Sequence, residues 1–130
     1  AFGMYNNKIK NATSRADWLL YNEEERDKYL NDPHIPAQIT ASLMYELLSG
    51  MINCVSKKAK TASLAPVYIL SGSDDAVSEY GKNIKTTVNL MTKQGFNIKD
   101  IMIFNNMRHD ILHEKDNIKV LDYIYEAITH

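Results

Sequence analysis

The stretch Val67-Tyr68-Ile69-Leu70-Ser71-Gly72-Ser73-Asp74-Asp75 decides how this chain is read. Four apolar residues run from Pro66 into a Ser-Gly turn, and continuous apolar runs of this length are typical of strands buried on both faces of a parallel sheet. They predict a central strand over residues 67–70. Downstream, Ile84, Val88 and Met91 fall on one face of a helix over about residues 81–94. Gly95 is placed to take the left-handed conformation that ends it. A second strand is expected at residues 101–104, and residues 116–129 return to helical spacing through Val120, Leu121, Ile124, Tyr125 and Ile128. Strand, helix, strand, helix predicts a parallel βαβ unit with a right-handed crossover, because parallel strands need a crossover and its hand is nearly always right.

Before this unit the pattern is mixed. Asn6, Asn7, Asn11 and Thr13 point to loops, and Asn22 followed by Glu23, Glu24 and Glu25 marks a helix start. That helix should stop before Asp32-Pro33, since the residue preceding proline avoids the helical region. From Thr40 to about Ser56, Leu43, Met44, Leu47, Leu48, Met51, Ile52 and Val55 share one helical face. Cys54 is expected to pack on the apolar side of that helix. Lys57, Lys58 and Lys60 form a short basic run that reads as a solvated linker.

Composition narrows the function classes. With 130 residues, 45% hydrophobic and 24% charged, the chain has the make-up of one globular domain. A net charge of −1 with interspersed signs excludes the electrostatic footprint of a nucleic-acid or anionic-membrane binder. No window reaches the roughly 20 apolar residues of a membrane span, and no signal-peptide pattern opens the chain. One cysteine cannot form an internal disulfide, which fits a cytoplasmic location. The opening Ala1-Phe2-Gly3-Met4-Tyr5 reads as the start of a fragment.

In open α/β sheets, ligands and reacting groups gather beyond the carboxyl ends of the strands. The first strand runs into Ser73-Asp74-Asp75, and the second into Asn105-Asn106-Met107-Arg108-His109-Asp110. If the strands are neighbours, about 4.8 Å apart, a carboxylate from one loop reaches an imidazole from the other. Such a pair fixes the imidazole tautomer and leaves the second ring nitrogen to take a proton from a nucleophile. Where such a triad runs in the order nucleophile, acid, histidine, one of several known chain orders, the nucleophile lies upstream. None of the serines here sits in a Gly-x-Ser-x-Gly elbow.

The motifs Ser71-Gly72-Ser73-Asp74-Asp75-Ala76-Val77 and Arg108-His109-Asp110-Ile111-Leu112-His113-Glu114, with Gly81-Lys82 opening the intervening helix, resemble the end of the monoacylglycerol lipase and lysophospholipase branch of the α/β hydrolases, a serine aminopeptidase S33-type family. Family register makes Asp75 the triad acid and His109 the triad histidine. Asp17-Trp18-Leu19 and Asp32-Pro33 resemble the cap segment of these lipases. Ala76 stands for the usual proline and Asp110 for the usual glutamate. The resemblance implies a cap remnant over residues 1–39, followed over residues 40–130 by the C-terminal part of an α/β-hydrolase core. It also implies an acyl-ester or lipid-like substrate, no cofactor and no metal. The nucleophile and oxyanion donors would lie in a missing N-terminal half, so this chain alone should be inactive. An uncovered strand edge predicts pairing with that half or formation of a homo-oligomer.

Other readings stay open at this level. Asp74 rivals Asp75 for the acid position, and both suit a plain turn. Trp18, Met44, Met51 and Met91 fit an acyl pocket or ordinary core. His109 and His113, four apart, have the spacing of a helical zinc site, though Asp110 stands where a metalloprotease needs glutamate. A non-catalytic α/β interaction module is the remaining alternative.

Overall fold

Tertiary organisation follows the alternation of apolar periods. The computed structural model describes residues 3–35, 39–54 and 65–129. The elements are α1 (Gly3–Asn6), α2 (Glu23–Asn31), α3 (Ala41–Cys54), β1 (Pro66–Gly72), α4 (Lys82–Lys93), β2 (Asn97–Phe104) and α5 (Ile118–Thr129). β1 and β2 pair in parallel, with Gly72 opposite Phe104 and an irregularity between Val67 and Tyr68. The βαβ unit is therefore present, with both strands longer than the sequence predicts.

α5 closes one side of the pair. Val120 is fully buried against Phe104 and Met107, with Leu70, Met102, Tyr123 and Ile124 around them. Phe104 and Tyr123 meet edge to face, centroids 6.1 Å apart, a favoured aromatic geometry. A second cluster joins Trp18, Leu19 and Leu20 to Ala76, flanked by Tyr5, Ile9, Tyr29 and Val77. The segment before α2 is thus packed onto the loop that follows β1.

Local punctuation works largely as expected. α2 begins at Glu23, its three glutamates at the positive end of the helix dipole, and stops at Asn31, just before Asp32-Pro33. α4 is bracketed by Gly81 and Gly95, with φ of 82° and 92°. Asn22, by contrast, makes no side-chain cap and instead donates through Nδ2 to the His113 carbonyl at 3.0 Å.

Two expectations need correction, those for β1 and for Cys54. β1 is half-buried rather than enclosed on both faces, and among the described residues it has one strand neighbour, so it is not central here. On β2, Ile101 and Ile103 stay exposed beside Ile84 and Val88 of α4, lining a groove of 390 Å³. α3 forms, but none of its residues is buried; Leu43, Leu47, Leu48, Met51 and Ile52 all face solvent. Cys54, at its end, is exposed rather than packed. Lys57, Lys58 and Lys60 lie outside the described residues, as do Ala1 and Phe2. No helix among the described residues is long and apolar enough to cross a membrane.

Candidate active site

Gly72 is where the two loops meet. A Cβ at this position would lie 2.2 Å from the carbonyl oxygens of both Met107 and Arg108, so the backbone of the second loop occupies the space a side chain would need. Hydrogen bonds complete the join: Ser73 N–H donates to Phe104 O at 2.9 Å and Asp74 N–H to Met107 O at 2.9 Å. Asn106 N–H donates to Ser73 Oγ at 3.0 Å, from a left-handed turn at Asn106 with φ of 56°.

This contact brings Asp75 and His109 together. Asp75 Oδ1 accepts from His109 Nδ1 at 3.1 Å and from Val77 N–H at 2.8 Å. An ionised carboxylate only accepts, so Nδ1 carries the proton and Nε2 is left for exchange with another group. The Asp75 side chain is buried, whereas that of His109 is 41% exposed. Burial pushes the Asp75 carboxyl up, but the bonds from His109, Val77 and Ser78 and the charge of His109 outweigh it and hold the group below its ordinary range. For His109, the bond to Asp75 raises the imidazole above its ordinary value against the effect of burial, and the charges of Asp75 and Asp110 add to the rise.

Asp74 points elsewhere. Its Oδ2 accepts from the Tyr21 hydroxyl at 2.8 Å and its Oδ1 from Ser73 Oγ at 3.0 Å. Burial raises the Tyr21 phenol, the bond to Asp74 adds to the rise, and nearby Arg108 opposes it. Of the two adjacent carboxylates, Asp75 is the one that meets the histidine.

The zinc spacing dissolves once the backbone is seen. Residues 109–113 form turns rather than a helix, so an i, i+4 pair does not share a face. His109 turns to Asp75, while His113 Nδ1 bonds both carboxylate oxygens of Asp110 at 2.9 Å. His113 also lines a separate cleft of 230 Å³ with Glu25, Lys28 and Tyr29. No group of three metal-binding side chains forms among the described residues.

Two supporting residues have no role in the sequence reading. Glu114, 4% exposed, accepts from Tyr21 N–H at 2.9 Å, Asn22 N–H at 3.2 Å and Arg108 N–H at 3.0 Å, tying residues 21–22 to the histidine loop. Arg108 lays its guanidinium 3.8 Å from the centroid of Tyr21 and donates through Nη1 to the Asp17 carbonyl. Glu114 sits inside the quoted motif, but the sequence gives no sign of partners more than 90 positions away. Because bonds to a charged acceptor contribute about 1.5–3 kcal/mol each, Glu114→Ala is expected to destabilise the fold by about 3 kcal/mol. Urea unfolding checks this, and a midpoint equal to wild type would show that the carboxylate is not structural.

A family model described as serine aminopeptidase, S33, matches residues 3–116. Among solved structures, the chain is similar to a highly thermostable carboxyl esterase from Bacillus coagulans, determined in complex with glycerol. The two are 21% identical with a TM-score of 0.78, over 98% of this chain and 41% of that one. At this identity the likeness speaks for the fold, and the chain spans less than half the esterase's length. No curated protein matches at a significant level. With the family match covering most of its length and an α/β-hydrolase architecture beneath it, the chain belongs to the serine aminopeptidase S33 family of α/β hydrolases.

Proposed function

We propose that the chain supplies the acid and the base of a serine carboxylic-ester hydrolase, Asp75 and His109, and that a serine in a preceding segment of the same protein is the nucleophile. The observation that carries this reading is the Asp75–His109 hydrogen bond, formed beyond the carboxyl ends of two adjacent parallel strands. In the reaction, His109 Nε2 takes the serine proton as the hydroxyl attacks the ester carbonyl, then delivers it to the departing alkoxide. Asp75 keeps the Nδ1–H bond throughout and stabilises the imidazolium. Water then enters by the same proton relay and releases the acid.

The motifs around Gly72 and His109 favour acyl esters of lipid-like alcohols, of the monoacylglycerol or lysophospholipid kind, and the lone cysteine favours a cytoplasmic setting. Fluorophosphonate labelling of protein that includes the preceding segment tests the assignment, since such probes react with a serine activated by its histidine. Stoichiometric labelling is expected in wild type and none in His109→Ala. Undiminished labelling of that variant would defeat the reading.

Alone, the chain should hydrolyse nothing, because the nucleophile and oxyanion donors do most of the chemistry. The exposed apolar residues of α3 and β2 favour docking against the preceding half or a second copy. Light scattering on the isolated chain is therefore expected to give a mass above that of one copy, and a monodisperse monomer would count against it.

A further inference from the structure

The indole of Trp18 stands against the imidazole of His109, with centroids 5.3 Å apart and planes inclined at 40°. Trp18 is buried and packs on Tyr5, and its backbone N–H donates to Asn6 Oδ1 at 2.9 Å. The ring pair is also held from both ends. Arg108, before the histidine, donates to the carbonyl of Asp17; Asp110, after it, donates its N–H to Leu19 O at 2.8 Å. Residues flanking the indole are thus bonded to residues flanking the imidazole.

A tryptophan face within about 6 Å of a cation attracts it through the ring quadrupole. We propose that Trp18 is a positioning residue for His109, which holds the imidazole toward Asp75 and stabilises its protonated form. The use made of that imidazolium rests on the proposed hydrolase function, but the ring pairing does not. The charged groups facing His109 are Asp75, from the loop after β1, and Asp110, next to it in its own loop. From the Trp18 segment, Asp17 directs its carboxylate to Thr13, Ser14 and Arg26. Asp74 is taken by Tyr21, and Arg108 lies over the Tyr21 ring. The indole therefore adds a contribution that no carboxylate makes.

Trp18 is the chain's sole tryptophan, so growth on fluorinated tryptophans alters this ring alone and nearly keeps its shape. Fluorine withdraws electron density from the ring face. The titration midpoint of His109, followed by NMR in the 130-residue chain, is expected to fall stepwise with added fluorines, reaching about half a pH unit, or roughly threefold in proton affinity. Trp18→Leu should lower it at least as far and Trp18→Phe should recover part of the loss. His113, bonded to Asp110, should not move and serves as the reference. A midpoint unchanged across the fluorinated series would overturn the proposal, as would equal shifts at His109 and His113. In protein with the preceding segment, Trp18→Leu should lower kcat with KM held. Absence of any wild-type esterase activity would count against the hydrolase reading alone, since the NMR titration still decides the role of Trp18.

Discussion

Replacing Gly72 by alanine is expected to lower stability by about 3 kcal/mol and to separate Asp75 from His109. The added methyl would meet the Met107 and Arg108 carbonyl oxygens at 2.2 Å and the Met107 carbonyl carbon at 2.5 Å. All three are backbone atoms, so no side chain can swing away. Relief requires moving the second loop as a whole, which pulls apart the Asp74–Met107 hydrogen bond and the imidazole seat beyond it. Gly50 provides the control. It lies within α3 with nothing within 4 Å of a built Cβ, so Gly50→Ala should stabilise by about 0.5–1 kcal/mol through helix propensity. Urea midpoints of the two variants should move in opposite directions. A Gly72→Ala protein as stable as wild type would mean the loops do not touch there.

In protein carrying the preceding segment, Asp75→Asn is expected to reduce kcat about 10⁴-fold, because an amide neither fixes the tautomer nor stabilises an imidazolium. Asp74→Asn should cost less than about tenfold, since its partners are Tyr21 and Ser73. If only the Asp74 change abolished activity, the acid assignment would be wrong. The pH profile carries the same information. His109 must be neutral to act as base, and its pKa is raised, so kcat/KM should fall on acidification with a midpoint above the ordinary value of about 6.5. Without Asp75 that midpoint should drop. Stability follows the pair with two signs. The contribution of His109 is complete below about pH 6.5 and is lost as pH rises through its raised pKa. That of Asp75 is complete above about pH 4 and is lost as pH falls through its lowered pKa. The pair therefore stabilises most between roughly pH 4 and 6.5.

Much of this was legible in the sequence because it rests on local patterns. Period-3.6 spacing located α4 and α5, Pro33 ended α2, and apolar runs ending in Ser71-Gly72 and Asn105-Asn106 marked the strands. Two loops on one edge of a parallel sheet then had to approach, which put a carboxylate beside His109, and the family resemblance chose Asp75 over Asp74. What stayed hidden depends on partners distant in the chain. Tyr21 bonds Asp74, 53 positions on, and Glu114, 93 positions on, and no local pattern encodes either. Trp18 read as ordinary core rather than pocket lining, and the sequence could not name His109 as its neighbour. For α3 the period gave the helix but not a partner for its apolar face, and the histidine spacing was a weak signal that fails because turns replace the helix it presupposes.

The ties of Glu114, Arg108 and Asp110 to residues 17–22 have an engineering consequence. A segment from a homologue grafted at residue 40 would discard Trp18, Tyr21 and Asn22 together, so the indole against His109 would be lost and the backbone N–H bonds to Glu114 would depend on the path of the incoming chain. Under the proposed hydrolase function, chimeras intended to change specificity should therefore splice before residue 17, so that residues 17–22 stay with the Asp75–His109 pair they brace.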